Sequence, residues 1–459
     1  MKRVLPTRCA TALVLAAALS SCATYAPLPL GADHGADSAM QLRVSTARMP
    51  LPALATHRFD PTDGLDVTEV AMLAVANSPD LKVKRDELGI ARAQAFAAGL
   101  LPDPQLAVGA DFPAHSGGGL STAYNLGITQ DITALLTRSS REAAARGSAE
   151  QVDLDLLWAE WQSIAQARLQ FGQVTSLRAQ QARLEREQVA MALFANTIDA
   201  ALKSGNLTYD TASAGLNAGA DLRKRVADGA IALHRAESDL RVLLGLAPEA
   251  PLDLVGEAYA RVPTTGQIEQ ALVDLPARRP DLLALQAGYR AQDEKLRGAI
   301  LAQFPALTFG FTSARDTSAI HTNGFSIGIS LPLFDRNRGN IAIEKATRQR
   351  LKDDYDARLL ATRSDLERLR ADLDTFAHQR SALEAHVREL DAARAAAEPA
   401  WQDGLLDWPT WLAIRSNALA ADLDLIALRQ EQAKQGIALE ALLGSTDLHT
   451  PSASRGSTP

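Results

Sequence analysis

The side chains with chemistry to offer lie in three places. Cys22 closes the tetrapeptide Leu19-Ser20-Ser21-Cys22, where a thiol can act as a nucleophile and accept an acyl group. Asp199, Asp210, Asp403 and Asp407 flank two glycine turns, Ser204-Gly205-Asn206-Leu207 and Asp403-Gly404-Leu405-Leu406. No base or nucleophile stands beside these carboxylates in the sequence, so they offer charge and no catalytic constellation. His378 and His386 are eight residues apart, on one side of a helix but two turns apart, and read as solvated positions, not as a metal pair. No His-Glu-x-x-His and no Walker Gly-Lys-Ser/Thr is present, so no catalytic residue, no metal and no cofactor is expected.

The N-terminus explains Cys22. Met1-Lys2-Arg3 is followed by the apolar run Ala10–Leu19, too short to span a bilayer and typical of a secretion signal. Leu-Ser-Ser-Cys resembles the bacterial lipobox, whose Cys is lipidated and becomes the first mature residue. Ala23 stands after it where an Asp would favour retention in the inner membrane. The other Cys, Cys9, lies inside the signal, which leaves no disulfide and no Cys-based metal site. The net charge of −7, with basic and acidic residues interspersed, argues against a nucleic-acid groove.

The elements that must position the acidic turns come in duplicate. "NSPDLKVKRDELGIARAQAFAAGLLP" from Asn77 answers to "RRPDLLALQAGYRAQDEKLRGAILAQFP" from Arg278. "YNLGITQDI" answers to "FSIGISLPL", "SGNLTYDT" to "DGLLDWPT", and Leu243-Leu244-Gly245 to Leu442-Leu443-Gly444. A period near 200 residues, read from these pairs, marks a duplicated domain and not a short solenoid repeat.

Each half reads as a helix, a two-stranded hairpin and a long helical hairpin. In the strands, Leu106, Val108, Ala110 and Phe112 share a face, as do Tyr124, Leu126 and Ile128, with small or polar residues opposite. Leu307, Phe309 and Phe311, then Phe325, Ile327, Ile329 and Leu331, repeat the pattern. Apolar-out, small-polar-in alternation suits a lipid-facing barrel with a wet lumen; a soluble half-buried hairpin is the alternative. Proline is absent between Pro113 and Pro248 and between Pro332 and Pro399. Ser139 with Glu142 offers a capping box for the first long helix, and Asn340 an N-cap for the second. Such helices would each be roughly 100 Å long. Pro332 and Asp335, ahead of Asn340, would form the elbow from barrel to helix.

The expected divisions are a lipoprotein signal (1–21), an extended arm (22–64), a first repeat (65–250), a linker (251–265), a second repeat (266–445) and a disordered tail (446–459). Strands are expected at about 105–112, 122–132, 306–313 and 324–333, and long helices at about 139–203 and 340–402. Four strands cannot close a barrel, and open edges are not tolerated in lipid. Two copies would give eight strands and a filled interior; three would give twelve and room for a pore.

The duplicated plan, "RRPDL…FP", "ISLPLFDRNRGNI", the two tip turns and the paired "LLG" endings resemble the TolC-like outer-membrane efflux proteins, the lipoprotein members above all. The resemblance runs from about Leu65 to Gly444. It implies a mainly α fold with membrane β: a homotrimer sharing one 12-stranded barrel that continues as a long α-helical barrel. It implies a passive exit duct, lipid-anchored at Cys22 in the Gram-negative outer membrane and reaching into the periplasm. Its partners would be outer-membrane lipid, a periplasmic adaptor and an inner-membrane transporter of the resistance-nodulation-division type. The cargo would be small molecules or metal ions, with a type I secretion duct as an alternative. Gly205, Asn206, Leu207, Gly404, Leu405 and Leu406 would meet the adaptor. One departure stands out: where several family members carry acidic rings six and nine residues beyond the second tip glycine, this chain has Thr410 and Ala413, which makes Asp403 and Asp407, with Asp199 and Asp210 flanking the first tip, the candidates for a charged pore constriction. A lipid-anchored coiled-coil adaptor is the competing class, and the barrel-like strands argue against it.

Overall fold

The computed structural model describes residues 25–31, 35–114, 121–206, 208–257 and 264–443. Cys22, Leu207, the glycine-rich loop after Pro113 and the C-terminal tail lie outside them. Contacts divide the chain after Gly35. The described residues of the first unit, 25–31 and 35, have no regular secondary structure, and the named helices and strands all belong to the second.

In the first repeat, α1 spans Val67–Asn77, α2 Pro79–Gly99, β1 Gln105–Asp111, β2 Ala123–Asp131, α3 Thr133–Lys203 and α4 Tyr209–Leu244. In the second, α5 spans Thr265–Arg278, α6 Pro280–Leu301, β3 Ala306–Arg315, β4 His321–Ser330, α7 Arg338–Gln402 and α8 Trp408–Leu443. α3 holds 71 residues and α7 holds 65, so each is about 100 Å long. α2 and α4 lie along α3, and α6 and α8 along α7; α3 also packs on α6 and α8, which joins the repeats.

Local chemistry sets the boundaries. Asp66 accepts from the backbone N–H of Thr68 and Glu69, and Glu69 answers with a bond from the N–H of Asp66, a complete capping box. Pro79 and Pro280 each open a helix, where the missing N–H costs nothing. At the far end of α4, Gly245 takes φ +72°. The N–H of Leu246 reaches Arg241 O and that of Gly245 reaches Val242 O, a Schellman closure that explains the glycine of the "LLG" motif.

The main buried core lies where α1 is wrapped by α3, α4 and the preceding segment. Val70 to Val75 of α1 pack with Ile164, Phe171 and Val174 of α3 and Leu240 and Leu244 of α4. The arginine of "RRPDL" has a structural role in the second repeat. Arg279 is 2% exposed and grips both oxygens of Asp281, at 2.8 and 2.6 Å. It also donates to Thr362 Oγ1 on α7 at 2.9 Å and stacks 4.8 Å from the ring centroid of Trp158 on α3.

Two expected helix starts are corrected. α3 begins at Thr133, not Ser139, because Asp131 Oδ1 accepts from the N–H of Thr133 at 2.8 Å and of Ala134 at 3.4 Å. The Ser139–Glu142 pattern falls inside the helix, and Arg141 there donates to the carbonyls of Ala98 and Leu100 at the end of α2. α7 begins at Arg338, not Asn340. Its N-cap residue is Asn337, held at φ 53° beside Arg336 at φ 47°, and its Nδ2 donates to Ala299 O at 2.7 Å. The second elbow is thus a left-handed step braced against the end of α6. The first has no such step: the N–H of Ile132 bonds Leu307 O at 2.9 Å, and Thr133 Oγ1 accepts from the N–H of Leu307 at 2.6 Å.

Candidate functional site

The four strands form one antiparallel sheet in the order β1-β2-β3-β4. Its register sorts the side chains by face. Leu106 pairs with Ile128, Ile128 with Phe311, and Phe311 with Phe325. Directly paired residues point the same way, so one apolar row crosses the whole sheet. All four are exposed. Gln105 pairs with Thr129, Thr129 with Gly310 and Gly310 with Ser326, a row of small and polar side chains on the other face.

That second face is crowded. A Cβ at Gly310 would sit 2.7 Å from Ser326 Oγ and 3.0 Å from Thr129 Cγ2, and one at Gly328 would strike Thr308 Oγ1. Crowding on the small-residue face and open apolar side chains on the other are what a curved barrel wall requires. Gly324-Phe325-Ser326-Ile327-Gly328 also spells the Gly-x-Ser-x-Gly pattern of hydrolase nucleophiles. It lies wholly within β4, without the strand-to-helix turn that would present a reactive hydroxyl.

Beyond the elbows, the long helices end in two turns of one design. Gly205 and Gly404 both take φ +72°. Asn206 N–H bonds Ala201 O at 2.9 Å, and Leu405 N–H bonds Ala400 O at 2.8 Å. Gly205 N–H reaches Leu202 O and Gly404 N–H reaches Trp401 O, so both are Schellman turns. Leu405 is 81% exposed at the turn, whereas Leu406 packs into a cluster of Phe194, Ile198, Trp401, Trp408 and Trp411. The ring centroids of Trp401 and Trp411 are 4.8 Å apart, and those of Phe194 and Trp411 4.9 Å. This cluster fastens the second tip to α3 of the first repeat.

The four acidic candidates occupy different settings. Asp199 is paired with Lys203 Nζ at 2.5 Å. Asp210 lies in the first turn of α4. Asp403 caps the end of α7 and is exposed. Asp407 Oδ1 accepts from the N–H of Thr410 at 2.9 Å. Bonding to Thr410 holds its carboxyl below the usual carboxylate range, so it is the N-terminal cap of α8. Among the described residues no three His, Cys, Asp or Glu side chains gather as a metal site would need.

A set of buried and half-buried charges along the α3–α8 seam has no counterpart in the sequence motifs. Arg168 meets Glu440 at 2.5 Å, Arg183 meets Asp422 at 2.5 Å, and Arg415 meets Glu187 at 2.8 Å. The partners are 228 to 272 residues apart in sequence.

Residues 271–445 match the outer membrane efflux protein family. The multidrug resistance outer membrane protein MdtP of Shigella flexneri is 27% identical over 224 residues, 46% of this chain and 45% of that protein. Outer membrane protein OprJ of Pseudomonas aeruginosa is 28% identical over 142 residues, 29% of this chain and 30% of its own. The chain therefore spans less than half the length of the curated relatives it matches. In three dimensions the likeness covers almost everything. The open-state MtrE channel of Neisseria gonorrhoeae superposes with a TM-score of 0.70 at 16% identity, covering 92% of this chain and 97% of that one. The outer-membrane channel OprN gives 0.69 at 17% identity, covering 92% and 99%. The second repeat is thus similar to the outer membrane efflux proteins in sequence, and the chain as a whole shares the fold of these outer-membrane channels. Both repeats share the fold, although the family match by sequence covers only the second.

Proposed function

We propose that the chain is the outer-membrane exit duct of a tripartite efflux system, acting as a homotrimer. The observation that carries this is the sheet itself. Its outward face is apolar across all four strands, its inner face is small and polar, and among the described residues β1 and β4 each leave one edge unpaired. In lipid those edges must be satisfied by another copy. Three copies give twelve strands around a lumen, and the two roughly 100 Å helices of each copy would prolong it across the periplasm.

In this reading Cys22 carries the lipid anchor, and the tips at Gly205–Leu207 and Gly404–Leu406 meet a periplasmic adaptor. Among the described residues of the two turns, Leu405 is the exposed apolar side chain. An inner-membrane transporter, of the resistance-nodulation-division type, would load the duct, and its choice would set the cargo, small molecules or metal ions. A type I secretion duct is the second reading, favoured by a 26% identity over 140 residues with the toxin and drug export protein A of Aggregatibacter actinomycetemcomitans. Cysteine pairs, one in β1 and one in β4, should cross-link the protein into trimers that conduct in planar bilayers. Cross-linking only within one chain, or no conductance, would overturn the proposal.

A further inference from the structure

The outward apolar face ends in polar side chains at the rim farthest from the helices. Ala110 pairs with Tyr124, Tyr124 with Arg315, and Arg315 with His321. Tyr124 alternates with Leu126 and Ile128, and His321 with Asn323, Phe325 and Ile327, so this row belongs to the lipid-facing side. From His321 to Leu331 is about 33 Å of strand at 3.3 Å per residue, or about 25 Å along the membrane normal at a 40° tilt. That is the height of the apolar band of such barrels, which sets the row at the headgroup level of the outer leaflet.

Arg315 is a cation without an anion. Its guanidinium forms no ion pair or hydrogen bond among the described residues, and its Nε is buried without a partner. The nearby acids are committed elsewhere. Asp316 Oδ1 accepts from the N–H of Ser318 at 2.8 Å and of Ile320 at 2.9 Å, closing the β3–β4 turn. Asp111 pairs with Ala123 and so lies on the opposite, small-residue face. Residues 115–120, which join β1 to β2 in sequence, include no Asp or Glu. Beside Arg315, Tyr124 OH and His321 Nδ1 are 3.1 Å apart. With the tyrosine donating to Nδ1, the imidazole carries its proton on Nε2 and becomes a second donor.

We propose that Arg315, with His321 and Tyr124 beside it, binds the phosphate of a phosphorylated glycolipid headgroup in the outer leaflet. A guanidinium fork matches a phosphate with two parallel charge-assisted hydrogen bonds. At a lipid interface the partner missing from the protein is supplied by the membrane. The inference rests on the barrel reading above.

The test is native mass spectrometry of the full-length protein in detergent, titrated with diphosphoryl lipid A and with its dephosphorylated form. Wild type should hold the diphosphoryl lipid about tenfold more tightly than the phosphate-free lipid. R315A should lose that preference, R315K keep part of it, and H321A, a milder change on the adjacent strand, reduce it about threefold. Equal retention by wild type, R315A and H321A would overturn the site, as would displacement of the lipid by millimolar inorganic phosphate. A protein that fails to enter bilayers at all would instead overturn the barrel reading.

Discussion

Arg415 on α8 holds Glu187 on α3 in a two-pronged pair, Nε to Oε1 at 2.8 Å and Nη2 to Oε2 at 3.0 Å. The side chains are 14% and 5% exposed. A second carboxylate, Glu398 on α7, takes Arg415 Nη1 at 3.0 Å and Trp411 Nε1 at 3.1 Å. Burial works against the guanidinium's charge, but Glu187 and Glu398 more than compensate and raise its pKa. The pair therefore joins the two repeats just behind the second tip. Removing Arg415 leaves Glu187 buried and unpaired, which costs about 3 kcal/mol; removing the charge of Glu187 leaves Arg415 with Glu398 alone and should cost less. E187Q and R415A should each lower the thermal midpoint, and the double variant with methionine at both positions should lose less than either. Equal or additive losses would show that the charges act independently. If the chain forms the proposed duct and its second tip moves on opening, both single variants should also conduct more in planar bilayers.

The tip glycines should tolerate little change, and for backbone reasons alone. A Cβ at Gly205 or Gly404 would meet nothing within 4 Å. The cost of an alanine there is then the left-handed conformation itself, about 1–2 kcal/mol. G205A and G404A should speed amide hydrogen exchange in the last turns of α3 and α7, and asparagine should be milder than alanine. Exchange unchanged in both alanine variants would remove the left-handed turn as the device that ends these helices.

The acidic residues of the second tip should separate into one that shapes the helix and one that shapes the field. Asp407 is bonded to Thr410, and its lowered pKa means that its contribution is present above the ordinary carboxylate pKa and lost as pH falls through the lowered value. D407A should therefore loosen the first turn of α8 at neutral pH but match wild type in strong acid. Asp403 makes no such bond, and D403A should change cation selectivity in planar bilayers without altering the exchange of α8. Unchanged selectivity in both variants would sink the role of these carboxylates at a constriction.

What the sequence made legible follows from what is local or repeated. The duplication, the alternating strands and the tip glycines depend on short spacings, and all can be read without the fold. The helix starts were misplaced because Ser-x-x-Glu is ambiguous: in place of a cap, Glu142 pairs with Arg146 at 3.4 Å within α3. Asn337, not Asn340, carries the elbow, since its left-handed geometry is set by the carbonyl of Ala299 on another helix. The α3–α8 charges and the Tyr124–Arg315–His321 row depend on packing and register between distant segments. No spacing rule reaches that far.

Glu160 should give the chain a specific pH response. It lies on α3 with its side chain 14% exposed and meets Arg85 Nη2 of α2 at 3.0 Å. Burial raises its pKa, and Arg85 offsets this only in part. The folded state therefore holds this proton more tightly than the unfolded chain, so stability falls as pH rises from the ordinary carboxylate range through the raised value. E160Q keeps an acceptor for Arg85 but cannot ionise. The thermal midpoint of wild type should drop relative to E160Q between pH 4.5 and 7, and a constant difference would refute the assignment.

Arg279 should be the least replaceable side chain of the second repeat. Its fork fills both oxygens of Asp281, its remaining nitrogen, Nη1, donates to Thr362 on α7, and its plane lies over Trp158 on α3. One side chain thus ties the start of α6 to both long helices. A lysine has the charge but neither the fork nor the flat face, and it would leave Asp281 short of a donor in a site that is 8% exposed. R279K should cost about 3 kcal/mol, and R279A at least as much. The double variant R279L/D281L should recover part of the loss, because it removes both buried charges together. The first repeat has Ser78 at the position matching Arg279, with Arg85 bonding Val75 O and Glu160 nearby. S78A should therefore be nearly neutral. Unfolding profiles in which R279K matches wild type would show that charge alone suffices at this joint.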